Sequence, residues 1–248
     1  RIHKVTLLYS MRKVAFIPTR EAKDRPIKTF LEKAGWEVYY IIKDSIFDAY
    51  TSAIKKYDLM AKDRVVMCHD DIEILTSCEV FNEVIDANIT SKTGFLGIAG
   101  AKRLNKTACW WHGLGREYPH PDSFLQGMVF HGSSIDNCFP TYYGGFGEVE
   151  VLDGLFLVTT GATLHSINTK MPEDFVGKWD FYDIYYTYQA QAKGRKNKVI
   201  PLPILHYSQG DGALNEDWDV NRKAFIKTHG AKFIDIELPP QSQLPTPA

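Results

Sequence analysis

Three short apolar runs, each closed by polar residues, alternate with helix-like segments over the first 75 residues. That alternation constrains the fold more than any other feature of the chain. Residues 13–18 (Lys-Val-Ala-Phe-Ile-Pro) read as a buried strand stopped by its proline. Pro26 suits the first turn of a helix, Ile27, Phe30, Leu31 and Ala34 carry the helical period, and Gly35 closes it. Residues 36–42 give a second strand, ending in the polar Lys43-Asp44-Ser45. Residues 46–60 give a second helix, with Ile46, Ala49, Tyr50, Ala53, Ile54 and Tyr57 on one face. A third strand begins at Arg64. A β-α-β-α-β order with short loops predicts an α/β fold built on a parallel sheet with right-handed crossovers. Open sheets of this kind bind ligands at the carboxyl ends of their strands.

The third strand ends in His69-Asp70-Asp71-Ile72-Glu73. Carboxylates packed so closely repel one another, and a cation compensates them. Oxygen donors favour Mg²⁺ or Mn²⁺ over zinc. The competing reading makes Asp70 or Asp71 the cap of a helix over residues 73–87.

Residues 95–100 form another short buried strand, and residues 101–148 change character. That stretch is rich in Gly, Pro, His and aromatic residues with weak periodicity, the mark of a long functional loop. Within it, Trp110, Trp111 and His112 offer flat faces for sugar rings or bases, or a small core that pins the loop. Residues 148–159 read as a strand, an Asp-Gly turn and a second apolar run. Asp153 is either that turn's residue or a positioned carboxylate. A helix over residues 180–192 would take Asp180 as its N-cap. Asp183, one turn in among aromatics, would be partly desolvated, with its pKa raised toward that of a general base. Residues 198–206 read as an extended segment whose prolines point to a sheet edge. It ends in His206, a metal or phosphate partner or a histidine that satisfies backbone. Residues 216–229 form a terminal helix.

With 44% hydrophobic and 13% aromatic residues among 248, the chain can bury a core. A net charge of −1 gives no electrostatic case for nucleic acid or an anionic membrane. There is no GxxxxGK[ST], GxGxxG or GxSxG, which weakens P-loop, dinucleotide-enzyme and α/β-hydrolase readings. Cys68, Cys78, Cys109 and Cys138 have no CxxC spacing and read as free thiols in a reducing, cytoplasmic setting. No apolar run approaches the length of a membrane span. Residues 237–248 are Pro-, Gln- and Ser-rich, as in a linker or tail, and the expectation is one domain of a longer polypeptide.

The order of these features resembles a known family. An acidic motif after a β-α-β-α-β unit is followed by Gly100-Ala101-Lys102-Arg103, then Val151-Leu152-Asp153-Gly154-Leu155, Phe181-Tyr182-Asp183-Ile184 and His206-Tyr207-Ser208. This is similar to inverting glycosyltransferases of the GT-A fold, family 2-like, in the branch with a His-Asp-Asp motif. The resemblance implies one GT-A domain over residues 1–236, with a mixed, mostly parallel sheet flanked by helices. Residues 13–100 would be its nucleotide-binding half and residues 101–236 its acceptor-binding half.

The resemblance also implies a UDP-sugar donor (rhamnose or a hexose), a glycan acceptor, and Mn²⁺ or Mg²⁺. Pro18, Thr19 and Arg20 would surround base and ribose, with Lys43 and Asp44 near the uracil. Asp70, Lys102 and Arg103 would serve the nucleotide and its phosphates, and Asp71 with His69 and His206 the metal. Asp183 would be the base, with Asp153 as its competitor, and Trp110, Trp111 and His112 would form the acceptor groove. Tyr182 stands where the family has the glutamate of a Glu-Asp pair. That departure keeps open a binding module without chemistry, and a nucleotidyltransferase is the other alternative. Fusion to further domains, and the host cytoplasm if the source is viral, belong to the same implication.

Overall fold

A computed structural model describes residues 10–111, 124–208 and 215–234. The strands in chain order are β1 (Lys13–Thr19), β2 (Glu37–Ile42), β3 (Arg64–Cys68), β4 (Ile72–Ile74), β5 (Thr93–Gly97), β6 (Ala99–Ala101), β7 (Leu125–Ser134), β8 (Asn137–Gly144), β9 (Gly147–Val149), β10 (Val151–Leu152), β11 (Phe156–Thr160), β12 (Lys196–Val199) and β13 (Ile204–His206). The helices are α1 (Pro26–Lys33), α2 (Ile46–Lys56), α3 (Cys78–Asn88), α4 (Gly161–Ser166), α5 (Tyr182–Ala192) and α6 (Glu216–His229).

The fold is mixed α/β with two sheets. The larger runs β2-β1-β3-β11-β5-β12-β9, and the smaller runs β10-β6-β7-β13-β4 with β8 paired to β7. The expected β-α-β-α-β unit is present: β1 pairs in parallel with both β2 and β3. β11 enters antiparallel between β3 and β5. Val14, Phe16, Ile17, Val65, Val66 and Met67 are wholly buried on these central strands, against Phe47, Tyr50, Phe81 and Phe156. Burying each such side chain stabilises the fold by about 1.5–3 kcal/mol.

Several local expectations are corrected. Pro18 does not stop β1, because it pairs with Ile41 inside the strand. Residues 72–74 are not helical but form β4 against β13. Here Ile72 and Ile74 are buried on either side of Glu73, a two-residue period that helical propensity does not override. The helix begins at Cys78, and its N-cap is Ser77, whose side chain accepts from the Val80 amide. The cap of α5 is Phe181 in a left-handed conformation (φ 69°), not Asp180. Of residues 101–148, expected to form a long loop, 125–144 instead hold the long β7–β8 pairing. The apolar runs around Asp153-Gly154 do not form a hairpin. β10 lies on β6 in the smaller sheet, while β11 lies in the larger. Residues 198–206 split likewise into β12 and β13, each flanked by partners on both sides, so the prolines mark a passage between sheets and not an edge.

Those passages place the site. The chain leaves the larger sheet after Cys68 and joins the smaller at Ile72, and it returns between Leu152 and Phe156. His69, Asp70, Asp71, Asp153 and Gly154 therefore lie along one seam. No helix among the described residues is long and apolar enough to cross a membrane.

Candidate active site

The seam is fixed by backbone bonds. The His69 amide donates to the Leu155 carbonyl (3.1 Å), and the Tyr207 amide to the Asp71 carbonyl (2.9 Å). Pairing of β13 with β4 sets His206 opposite Ile72. His206 Nε2 then lies 3.4 Å from Asp71 Oδ2, and His69 Nδ1 lies 3.8 Å from Asp71 Oδ1. One donor atom from each of the three residues falls within 4.8 Å of the others. Burial opposes the Asp71 charge, but the His206 hydrogen bond and the neighbouring His69 outweigh it and hold the carboxyl below its usual range. Burial, aided by His206, lowers the His69 pKa, which favours the neutral, ligating imidazole.

Two imidazoles and one carboxylate fit a divalent cation of borderline softness; these are the three residues the resemblance implied for a metal, and the all-oxygen cluster read from the acidic motif alone is not assembled. Asp70 and Glu73 stand outside the three. Asp70 Oδ2 is 2.7 Å from Thr19 Oγ1 and 3.6 Å from Arg25 Nη2, and Glu73 accepts from the Tyr207 hydroxyl.

Asp70 turns toward the loops after β1 and β2. Thr19 is buried there, while Arg20, Lys43 and Asp44 are exposed. The Arg20 guanidinium stands 5.5 Å from the Trp179 ring centre. Trp179 Nε1 donates to the Asp44 carbonyl (3.0 Å). Trp179 thus ties both loops together, a part that sequence reading missed.

Asp153 and Asp183 meet at the opposite wall. Asp153 Oδ1 accepts from the Leu155 amide (2.9 Å), and Asp183 Oδ2 from the Gly154 amide (2.9 Å). Burial first, then the Asp153 charge, pushes the Asp183 pKa up to about 7. The Tyr182 hydroxyl donates to the Gly154 carbonyl (2.9 Å) and lies 3.3 Å from His69 Nε2. A Cβ on Gly154 would strike the Tyr182 hydroxyl and stand 2.9 Å from the Asp183 Cβ, so glycine is required by this close approach.

From the histidines a cavity of about 250 Å³ extends along β7. His69, Asp153 and His206 line its near end, with Trp110, Trp111, Tyr143 and His131 around the remainder. His131 follows Val129 by two residues on one face of β7, an alternation that could have flagged it. Trp110 Nε1 and His131 Nδ1 are buried without a hydrogen-bond partner. A buried group left so costs about 1–3 kcal/mol. Lys102 and Arg103 are not brought to this cavity; they line another with Glu148 and Glu150. His112 lies outside the described residues.

A family profile described as "Glycosyltransferase like family" matches residues 34–229. The chain belongs to that glycosyltransferase-like family. The matched span contains His69, Asp71, His206, both carboxylates and both tryptophans, and it begins after Thr19 and Arg20. No curated protein matches the chain. Among solved structures, the crystal structure of A197 from STIV is similar at 14% identity and a TM-score of 0.47, over 79% of this chain and 86% of that one. Such distance says nothing about the site.

Proposed function

We propose that the chain is a metal-dependent inverting glycosyltransferase that moves a hexose or deoxyhexose from a UDP-sugar to a glycan hydroxyl. The observation that carries the proposal is the single seam along which the His69–Asp71–His206 cluster and the Asp153–Asp183 pair lie, with His69, His206 and Asp153 lining one cavity. Thr19, Arg20, Lys43 and Asp44 hold the nucleoside, and Asp70 steadies Thr19 beside it. His69, Asp71 and His206 would hold Mn²⁺ (preferred to Mg²⁺ for the two imidazoles), which would supply charge neutralisation for a departing diphosphate.

The acceptor oxygen attacks the anomeric carbon as the bond to UDP breaks, with inversion. Its proton passes to Asp183, whose pKa near 7 suits a general base at neutral pH. Asp153 raises that pKa and faces the acceptor. Trp110 and Trp111 seat the acceptor ring. A cytoplasmic setting and fusion to further domains complete the proposal; its support there is composition.

One observation favours a second reading, a binding module without turnover: Tyr182 replaces the expected glutamate and engages His69. Incubation with Mn²⁺ and a panel of nucleotide-sugars separates the two. Slow release of UDP supports the transferase, and binding of nucleotide-sugar without turnover overturns it in favour of the module. Pyrophosphate release from a nucleoside triphosphate would point instead to nucleotidyl transfer.

A further inference from the structure

We infer that the cavity beside the histidine cluster is selective for an uncharged pyranose acceptor, with Trp110 and His131 as the residues that read its hydroxyls. The inference rests on the transferase reading and adds to it the chemical class of the acceptor. Trp110 is 3% and His131 7% exposed, and both line the cavity. Each keeps one buried ring nitrogen, Trp110 Nε1 and His131 Nδ1, with no hydrogen-bond partner among the described residues. Interiors rarely leave such atoms unmatched. A ligand that brings hydroxyls, which both donate and accept, matches an indole N–H and either tautomer of an imidazole.

Neither nitrogen reaches solvent, so a sugar hydroxyl meets them only if the rings turn as it seats, and tryptophan fluorescence would report that turn. Flat faces complete the match: Trp110 and Tyr143 stand 5.1 Å apart between ring centres, and Trp110 and Trp111 5.7 Å. The C–H face of a pyranose packs on such rings. Charge selects against anions, because Asp153 lines the cavity and no lysine or arginine among the described residues does. The ring is assigned to the acceptor, not the donor, because Thr19 of the proposed nucleoside loops packs on Asp70, outside the cluster and the cavity, whereas His131 packs on His206 and lines the cavity.

The test titrates the full chain, with Mn²⁺ and UDP present, against methyl glucoside, galactoside, mannoside and rhamnoside, then against glucuronate and glucose 6-phosphate. Tryptophan fluorescence is the readout. At least one neutral glycoside should bind, and the anionic sugars should bind about tenfold more weakly or not at all. His131→Phe and Trp110→Phe should each weaken the neutral sugar about tenfold, the scale of one hydrogen bond, and leave UDP affinity unchanged. His131→Asn, which restores a polar atom near Nδ1, should recover part of the loss and guards against misfolding of the phenylalanine variant. If UDP binds but no neutral glycoside does, or if the anionic sugars bind better, the acceptor assignment is wrong while the transferase reading stands. A glycoside that competes with UDP-sugar but not with UDP marks a donor-sugar site and overturns the inference. If UDP fails to bind with Mn²⁺, the transferase reading and this inference fall together.

Discussion

His206 Nε2 stands 3.4 Å from Asp71 Oδ2, although the two residues belong to strands far apart in sequence. Pairing of β4 with β13 brings them together, so the cluster depends on a register and not on one local motif. Asp71→Ala and His206→Ala should each weaken Mn²⁺-dependent UDP binding by about 100-fold or more, since even the outer partners of metal ligands are worth 10–100-fold. Calorimetric titration with and without EDTA checks this. UDP affinity indifferent to EDTA in the parent protein would remove the cation from the proposal.

Asp183 gives a pH signature of known sign. With its pKa near 7, activity should rise with pH through that region as the carboxylate forms. Asp183→Asn should lower kcat by about 10²–10⁴-fold and keep UDP binding. Normal transfer by that variant would pass the base role to Asp153, to be tested in turn by Asp153→Asn.

The same residue links pH to stability. An unfolded Asp183 releases its proton near 3.8, the folded one near 7. Between those values the folded state holds more protons, so this group's contribution falls as pH rises and is fully lost above the folded value. Asp183→Asn should remove that decline and be more stable than the parent at about pH 8, by roughly 1–3 kcal/mol. Urea melts at about pH 5 and pH 8 measure it; equal differences at both would show that burial does not shift Asp183.

Gly154→Ala separates geometry from chemistry. Its methyl group would push against the Tyr182 hydroxyl and the Asp183 Cβ. A displacement of about 1 Å at a reacting group costs about 10²-fold in rate, while overpacking costs about 1–3 kcal/mol in stability. Steady-state kinetics beside a thermal melt should show that imbalance. An unchanged kcat would mean that Asp183 is not held where the reaction needs it.

Ser77→Ala should cost about 1 kcal/mol through loss of the α3 cap, and Asp70→Asn should leave that helix untouched. Chemical denaturation distinguishes them. The outcome bears on what could be read before any coordinates. The β-α-β-α-β unit was legible because its apolar runs and helical periods were each several residues long. β4 was not, because three residues hold too little periodicity to compete with the helical pattern that follows. Asp71 and His206 could be singled out from their places after β3 and at the end of the last strand, but their being neighbours came only from the resemblance, because nothing local fixes the pairing of two three-residue strands. His131 and Tyr143 were harder to single out for another reason: the alternation from Met128 to His131 is short, and glycines at 127, 132 and 144, all at positive φ, break off the alternation of β7 and β8 around it. The exposed aromatics on β8 blur it further.

β8 carries one further consequence. Among the described residues it joins the sheets through β7 alone, yet it supplies Tyr143 to the cavity wall. The loops that carry Thr19, Arg20, Lys43 and Asp44, by contrast, follow β1 and β2 at one end of the other, seven-stranded sheet. A strand held along one side can be lengthened, shortened or relined without disturbing β1 and β2. On the proposed transferase reading, exchange of β8 residues is therefore the shortest path from this chain to one with a different acceptor and the same donor. A library confined to residues 137–144 would explore it while leaving both histidines and both aspartates of the seam in place.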